Sequence, residues 1–270
     1  MREITVAVVQ MQPVLAEPEE NLQQMSEYVR HVCTEQPVDL IVFPELATTG
    51  YECGLRFTQM AERVPDHAVN LLAKDAAQFN TYIAFGMPTK EKVESVIYNA
   101  AVLIGPEGEV VGEYRKLHLK GEERLAFRAG YRIPTFETTW GQLGLLLGWD
   151  LAFPEAARSL ALDGAELIAV CANWERPHHD AWRAYCLTRA GENAVFLAAA
   201  NRVGEEPSYA FFGDSMVIGP GGELLASLEE PVAGYTIAII DLDEVRRQRE
   251  ELQLMQVRQP QAYRAIVRKY

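Results

Sequence analysis

The 270-residue chain has only four cysteines, at positions 33, 53, 171 and 186, and no C-x-x-C pair. That excludes a disulfide framework and a zinc site of the usual spacing, and it fits a reduced, cytoplasmic protein. No apolar run approaches the roughly 18 residues that a membrane span requires. The opening "MREITVAVVQ" reads as a first strand and not as a signal peptide. Positive charge is sparse. Lys and Arg number 25 against 38 Asp and Glu, for a net charge of −13, and they form no basic stripe. Nucleic acid and anionic membrane are therefore poor candidates for main partners. What is abundant is apolar surface. Hydrophobic residues make up 49% of the chain, enough for a sizeable core and too much for disorder.

The apolar residues are patterned in two periods. "EENLQQMSEYVRHV" carries Leu22, Met25, Val29 and Val32 on one helical face, and "HAVNLLAKDAAQF" and "DAWRAYCLTRAGENA" read as further helices. Between them lie short buried strands: "ITVAVVQM", "DLIVFPE", "TYIAFGM", "LGLLLGWD", "ELIAVCAN" and "VFLAAAN". Interleaved strands and helices predict an α/β chain. A hairpin built on Gly-Pro-x-Gly occurs twice, as "IGPEGEVV" from residue 104 and "IGPGGELL" from residue 218. Either two related halves or the commonness of that turn accounts for the repeat. Strands apolar on both faces call for cover on both sides. A four-layer α-β-β-α sandwich with two pseudo-related halves, spanning residues 1–270 as one domain, meets that need.

Three predicted strand ends carry residues that a core would not select. Glu45 in "VFPELATTGY" follows a buried strand. It is either a solvated turn residue or a desolvated carboxylate, whose pKa would then rise into the range of a general base. Lys116 in "YRKLHL" lies in a basic cluster with Arg115, His118 and Lys120. Such clusters are usually solvated, but strand alternation puts Lys116 and His118 on the side opposite Arg115 and Leu117. The third residue is Gly148. It sits where the apolar run "LLLGWD" breaks before a Pro-initiated helix, the kind of elbow that carries a nucleophile in many α/β enzymes. Glycine has no side chain to attack with.

These segments together resemble the nitrilase superfamily of carbon–nitrogen hydrolases, in particular its small aliphatic amidase branch. "VFPELATTGY" is similar to the family's catalytic glutamate segment and "YRKLHL" to its catalytic lysine segment. "GWDLAFPEAARSLALDGAELI" is similar to its nucleophile segment, and "ANRVG" and "FFGDSMVIGPGGELL" to its later landmarks. The resemblance implies Glu45 as general base and Lys116 as the cation that holds the tetrahedral intermediate. It implies Glu123 in "GEERLAF", with Glu122 as the alternative, as the second glutamate that positions substrate and lysine. The backbone N–H of Trp149 is implied as the second oxyanion donor. The family's cysteine position falls on Gly148. Three accounts of that glycine stay open: a removed cysteine, a natural pseudoenzyme that binds a ligand or partner, or another thiol, Cys171, acting in its place.

The same resemblance implies a small neutral amide as substrate, no metal or organic cofactor, and a homodimer or larger. Tyr51, Trp149, Trp174 and Glu175 are expected around the substrate. Asp150 is expected to brace the elbow and Arg158 to pair with a carboxylate such as Glu155. His178 and His179, adjacent before a helix, point apart and make a poor metal pair. Trp182 and Tyr185 are large groups to leave in water, so their helix is expected to form the dimer surface.

Overall fold

A computed structural model describes residues 2–91 and 96–268. The first half contains β1 (Glu3–Gln10), α1 (Pro18–Glu35), β2 (Leu40–Val42), α2 (Phe57–Met60), α3 (His67–Phe79), β3 (Tyr82–Lys90), β4 (Ile97–Ile104) and β5 (Val110–Arg115). The second contains α4 (Glu123–Ala126), β6 (Thr135–Glu137), β7 (Gln142–Leu147), α5 (Pro154–Leu162), β8 (Leu167–Ala172), α6 (His179–Asn193) and β9 (Phe196–Asn201). It continues with β10 (Val203–Glu205), β11 (Ala210–Phe212), β12 (Ser215–Ile218), β13 (Leu224–Leu228), β14 (Gly234–Asp241) and α7 (Asp243–Leu252). Among the described residues no helix is long and apolar enough to cross a membrane.

Two six-stranded sheets form, in the orders β14-β1-β2-β3-β4-β5 and β13-β12-β9-β8-β7-β6, beside a small β10-β11 ribbon. Side-chain alternation divides each strand between two cores. Val6 and Val8 of β1, Leu40 and Val42 of β2, and Leu103 of β4 join Leu145, Leu147 and Ala169 between the sheets. Ala7, Val9, Ile41 and Phe43 face the opposite way, onto Leu22, Met25 and Val29 of α1 and Val69 and Leu72 of α3. Helices thus cover the outer faces, and the layers run α-β-β-α. The central strands read as continuously apolar because neither of their faces meets water.

The halves repeat each other. β1-β2-β3-β4-β5 in one sheet corresponds to β7-β8-β9-β12-β13 in the other, with two parallel pairings followed by two antiparallel ones. The paired hairpins even share their bonds. Gly105 N–H donates to Glu109 O at 2.9 Å, and Gly219 N–H donates to Glu223 O at 2.8 Å. Both hairpins shift register at their last strand residue, Leu103/Ile104 and Val217/Ile218. The hairpin repeat in the sequence is therefore a trace of the doubled architecture.

The expectation for α6 needs correction. Its buried positions are Trp182, Cys186, Arg189, Ala190 and Asn193, the spacing of one helical face. Trp182 lies in the core and donates its indole N–H to Asp214 O at 2.8 Å, while Tyr185 is half-buried against the Trp174 ring. Both aromatics are covered largely by the protein's own core, so they give no reason of their own to place a partner on α6. Trp182→Ala is expected to lower unfolding free energy by about 3–5 kcal/mol through the cavity it leaves. Trp182→Phe is expected to recover much of this, and urea unfolding monitored by circular dichroism measures both.

Candidate active site

Three strand ends meet where the sheets face each other. Beyond β2, the chain from Phe43 to Ala47 stays tied to β3: Gly86 N–H donates to Pro44 O at 3.0 Å, and Ala47 N–H donates to Gly86 O at 2.9 Å. The approach is so close that a Cβ at position 86 would lie 2.5 Å from the Cα of Glu45, so only glycine fits there. Lys116 continues β5 by one residue, its N–H donating to Asn99 O on β4 at 2.9 Å. Alternation sends its side chain inward and turns Arg115 outward to Glu113 and Glu91.

The Lys116 Nζ, 1% exposed, donates to Oε1 of Glu45 at 2.6 Å and to Oε1 of Glu123 at 2.8 Å. Asn99 Nδ2 also donates to Glu45 Oε1, at 2.6 Å, and the Tyr51 hydroxyl donates to Glu123 Oε1 at 2.9 Å. Burial raises the Glu45 pKa to about 7. Lys116 opposes that shift, and the negative charge of Glu123 reinforces it. For Lys116 burial disfavours the charge, but Glu123 and Glu45 outweigh it and the ammonium stays protonated well past neutrality. A carboxyl that titrates near 7 beside a fixed cation can accept and return a proton at neutral pH.

The elbow follows β7. Gly148 has φ +33°, in the left-handed region, and opens a tight helical turn through Ala152. Asp150 braces it, as expected. Its carboxylate accepts from the Tyr114 hydroxyl at 2.6 Å and from the His118 N–H at 2.9 Å, and His118 Nδ1 lies 2.7 Å away. His118 also stacks on Phe153 with ring centroids 3.6 Å apart, so it is a structural histidine. The Trp174 indole N–H donates to Gly148 O at 3.1 Å. Arg158 does not pair with Glu155. It donates to Glu192 O at 2.6 Å, where the free carbonyls at the end of α6 attract a cation. His178 and His179 turn to different carboxylates, Glu175 at 3.9 Å and Asp214 at 3.1 Å. Cys171 is fully buried in the core, and burial together with the charge of Glu45 pushes its thiol pKa far up.

These strand ends frame a narrow cleft lined by Glu45, Lys116, Glu123, Tyr51, Trp149 and Trp174. Lys120, Glu175 and Asn173 complete the lining. Lys120 pairs with Glu175 and lies 4.8 Å from the Trp149 ring centroid. Of the residues singled out from sequence, Glu45, Lys116, Glu123, Gly148, Trp149, Tyr51, Trp174 and Glu175 all come together here. Sequence reasoning passed over Asn99, Lys120 and Asn173. Asn99 left a signal, a lone amide inside the apolar strand "VIYNAAVLI". Asn173 left none apart from its place at a strand end.

A family model described as carbon–nitrogen hydrolase matches residues 5–250, and the chain belongs to that family. A probable nitrilase of Schizosaccharomyces pombe is 41% identical over 97% of this chain and 98% of its own length. The crystal structure of a carbon–nitrogen hydrolase from Helicobacter pylori superposes with a TM-score of 0.89 at 25% identity, covering 99% of both chains. An amidase variant from Nesterenkonia sp. AN1 superposes at 0.82 with 28% identity, over 93% of this chain and 95% of that one. That structure carries the acetamide moiety of fluoroacetamide covalently added at the amidase's active-site cysteine.

The buried triad generates a test of its own. Lys116→Met leaves Glu45 and Glu123 facing each other with no cation, which is expected to cost about 3–5 kcal/mol of stability at pH 8. Without the ammonium that opposes its rise, the Glu45 carboxyl in the folded state titrates higher than in the unfolded chain. Stability is then present at low pH and lost as pH rises, so part of the deficit should return at pH 5.5. Urea unfolding at the two pH values measures the difference. A deficit independent of pH would contradict the charge argument.

Proposed function

We propose that this chain binds a small neutral amide against a Glu45–Lys116–Glu123 constellation suited to carbon–nitrogen bond hydrolysis, with residue 148 as the nucleophile position. The observation that carries the reading is the surroundings of Gly148. A Cβ added there would lie 2.3 Å from Glu45 Oε2 and 3.6 Å from Lys116 Nζ. Any side chain at 148 meets a base and a cation at once, and the flexible end of Glu45 yields to admit it. The amidase from Nesterenkonia carries its adduct on an active-site cysteine, and the resemblance of "GWDLAFPEAARSLALDGAELI" to the family's nucleophile segment supports 148 as the counterpart here.

With a cysteine at 148 the chemistry is balanced. Glu45 takes the thiol proton, and the thiolate adds to the amide carbon. The carbonyl oxygen becomes an oxyanion held by Lys116 and the Trp149 N–H. Glu45 returns the proton to the nitrogen, which leaves as ammonia or an amine while a thioester forms. Water, deprotonated by Glu45, then releases the acid. Glycine at 148 offers no atom to begin this sequence, so the chain as it stands holds the amide without cleaving it. The second reading, a natural ligand-binding protein on this fold, is favoured by the glycine itself. Cys171 makes a poor substitute, because its thiol is buried and its raised pKa keeps it protonated at neutral pH. A homodimer or larger assembly belongs to the same proposal. Exposed Leu55, Leu125, Ile239, Val257, Ile266 and Val267 are among the apolar groups available to it. Light scattering that reports the 30.2 kDa monomer at micromolar concentration would refute that assembly.

Gly148→Cys is expected to raise ammonia release from small aliphatic amides by on the order of 10⁴-fold or more over the parent chain. Gly148→Ser should do so weakly or not at all, since a hydroxyl is far less acidic than a thiol. The cysteine variant sacrifices about 1–2 kcal/mol of stability to the left-handed backbone. A folded Gly148→Cys that releases no more ammonia than the parent overturns the nucleophile assignment and leaves the binding-protein reading standing.

The raised pKa of Glu45 adds a pH signature. Glu45 must be ionised to accept the thiol proton, so kcat/KM of Gly148→Cys is expected to climb with pH through about 7. Gly148→Cys combined with Glu45→Gln should lose this rise together with the activity.

A further inference from the structure

Asn173 directly follows β8 and is 6% exposed. The parallel register that pairs Leu147 with Cys171 sets it one strand over from the Gly148–Trp149 elbow, and it lines the cleft beside Lys116, Trp149 and Trp174. Neither its Oδ1 nor its Nδ2 has a hydrogen-bond partner among the described residues. Its neighbours are all engaged. The Trp174 backbone N–H donates to Asn201 Oδ1 at 2.7 Å and its indole to Gly148 O at 3.1 Å. Lys120 pairs with Glu175, and Lys116 with Glu45 and Glu123.

Other buried carboxamides set the contrast. Asn21 and Asn201 use both ends. Asn99 and Asn193 each keep Nδ2 bonded, to Glu45 at 2.6 Å and to Arg189 O at 2.9 Å. Among the described residues, Asn173 is the one buried asparagine with both ends unmet, and it is one of the residues that line the cleft. Interiors keep few such groups, because an amide taken out of water without a partner is costly.

We propose that the Asn173 carboxamide reads the substrate, donating one hydrogen bond to, and accepting one from, a neutral polar function that the amide carries beyond its scissile group, such as a hydroxyl or a second carboxamide. The inference rests on the amide site proposed above and names its preferred substrate class. A carboxylate tail fits less well, since both cleft lysines already face glutamates. An ammonium tail fits less well for the converse reason. A group that both donates and accepts matches what Asn173 offers, and the flat walls of Trp149 and Trp174 suit a small ligand.

Isothermal titration on the chain with Gly148 tests this with two isosteric pairs, lactamide against isobutyramide and malonamide against isovaleramide. In at least one pair the polar member is expected to bind roughly tenfold more tightly, the effect of one or two neutral hydrogen bonds. Asn173→Leu should bring the members of that pair to within about twofold by weakening the polar ligand alone. Asn173→Ser serves the same purpose if the leucine variant does not fold, and the parent's own preference needs no variant. Equal binding within both pairs overturns the proposal, as does a preference that survives loss of the asparagine. Amides that bind without polar preference, and that Lys116→Met releases, leave the amide-site reading intact while this inference falls. If no amide binds to the parent at all, both fall together.

Discussion

A lysine ammonium is held out of water between two carboxylates, and much of the local structure follows from that arrangement. Lys116 is buried with Glu45 and Glu123 at hydrogen-bond distance on either side. A buried charge of this kind costs several kcal/mol in desolvation, which only good geometry and further hydrogen bonds offset. Asn99 on β4 and Tyr51 in the loop after β2 supply those bonds. Gly86 is needed because Glu45 must run against β3 at a distance no side chain tolerates. Burial, reinforced by the negative charge of Glu123 and opposed by Lys116, explains why Glu45 titrates near 7 instead of near 4.5. The cluster is expensive for stability and useful for proton transfer, and both properties come from the same exclusion of water.

The second sheet contributes the other half of the site. Glu45 and Lys116 follow strands of the first sheet, whereas Gly148 and Asn173 follow strands of the second. Asp150 joins the two, since its carboxylate binds Tyr114 of β5 and His118 just beyond it. Trp174 ties the end of β8 back to the Gly148 carbonyl. The cleft therefore exists only when the sheets pack face to face, and the inter-sheet core of Val6, Val8, Leu145 and Ala169 sets its geometry. Doubling of the fold makes such a site possible, because two similar sheets present the same kind of strand end to each other across a common core.

Periodicity made the elements legible. The helix "HAVNLLAKDAAQF" coincides with α3 from His67 to Phe79, and both Gly-Pro-x-Gly hairpins form where the turns were read. Short pieces such as β6, the β10-β11 ribbon and α4 escaped, because three or four residues hold no period to read. Glu45, Lys116 and Gly148 stood out since a charge or an elbow at the end of an apolar strand conflicts with its neighbours. Partner choice was not legible in the same way. Arg158 found a helix-end carbonyl in place of Glu155, and Trp182 turned into the core although Asp180 and Arg183 lie close to it in sequence.

The sequence by itself determined the layering, the doubled hairpin and the strand ends at which polar groups concentrate, because each of these is written in local periods and local contradictions. Only the tertiary structure decided which of those polar groups meet. It brought Lys116 between Glu45 and Glu123, separated from it by 71 and 7 positions, and left the Asn173 carboxamide without a protein partner beside them. Hydrogen bonds and desolvation depend on what lies within about 3 Å in space, and in a sandwich of two sheets most of those neighbours come from distant parts of the chain.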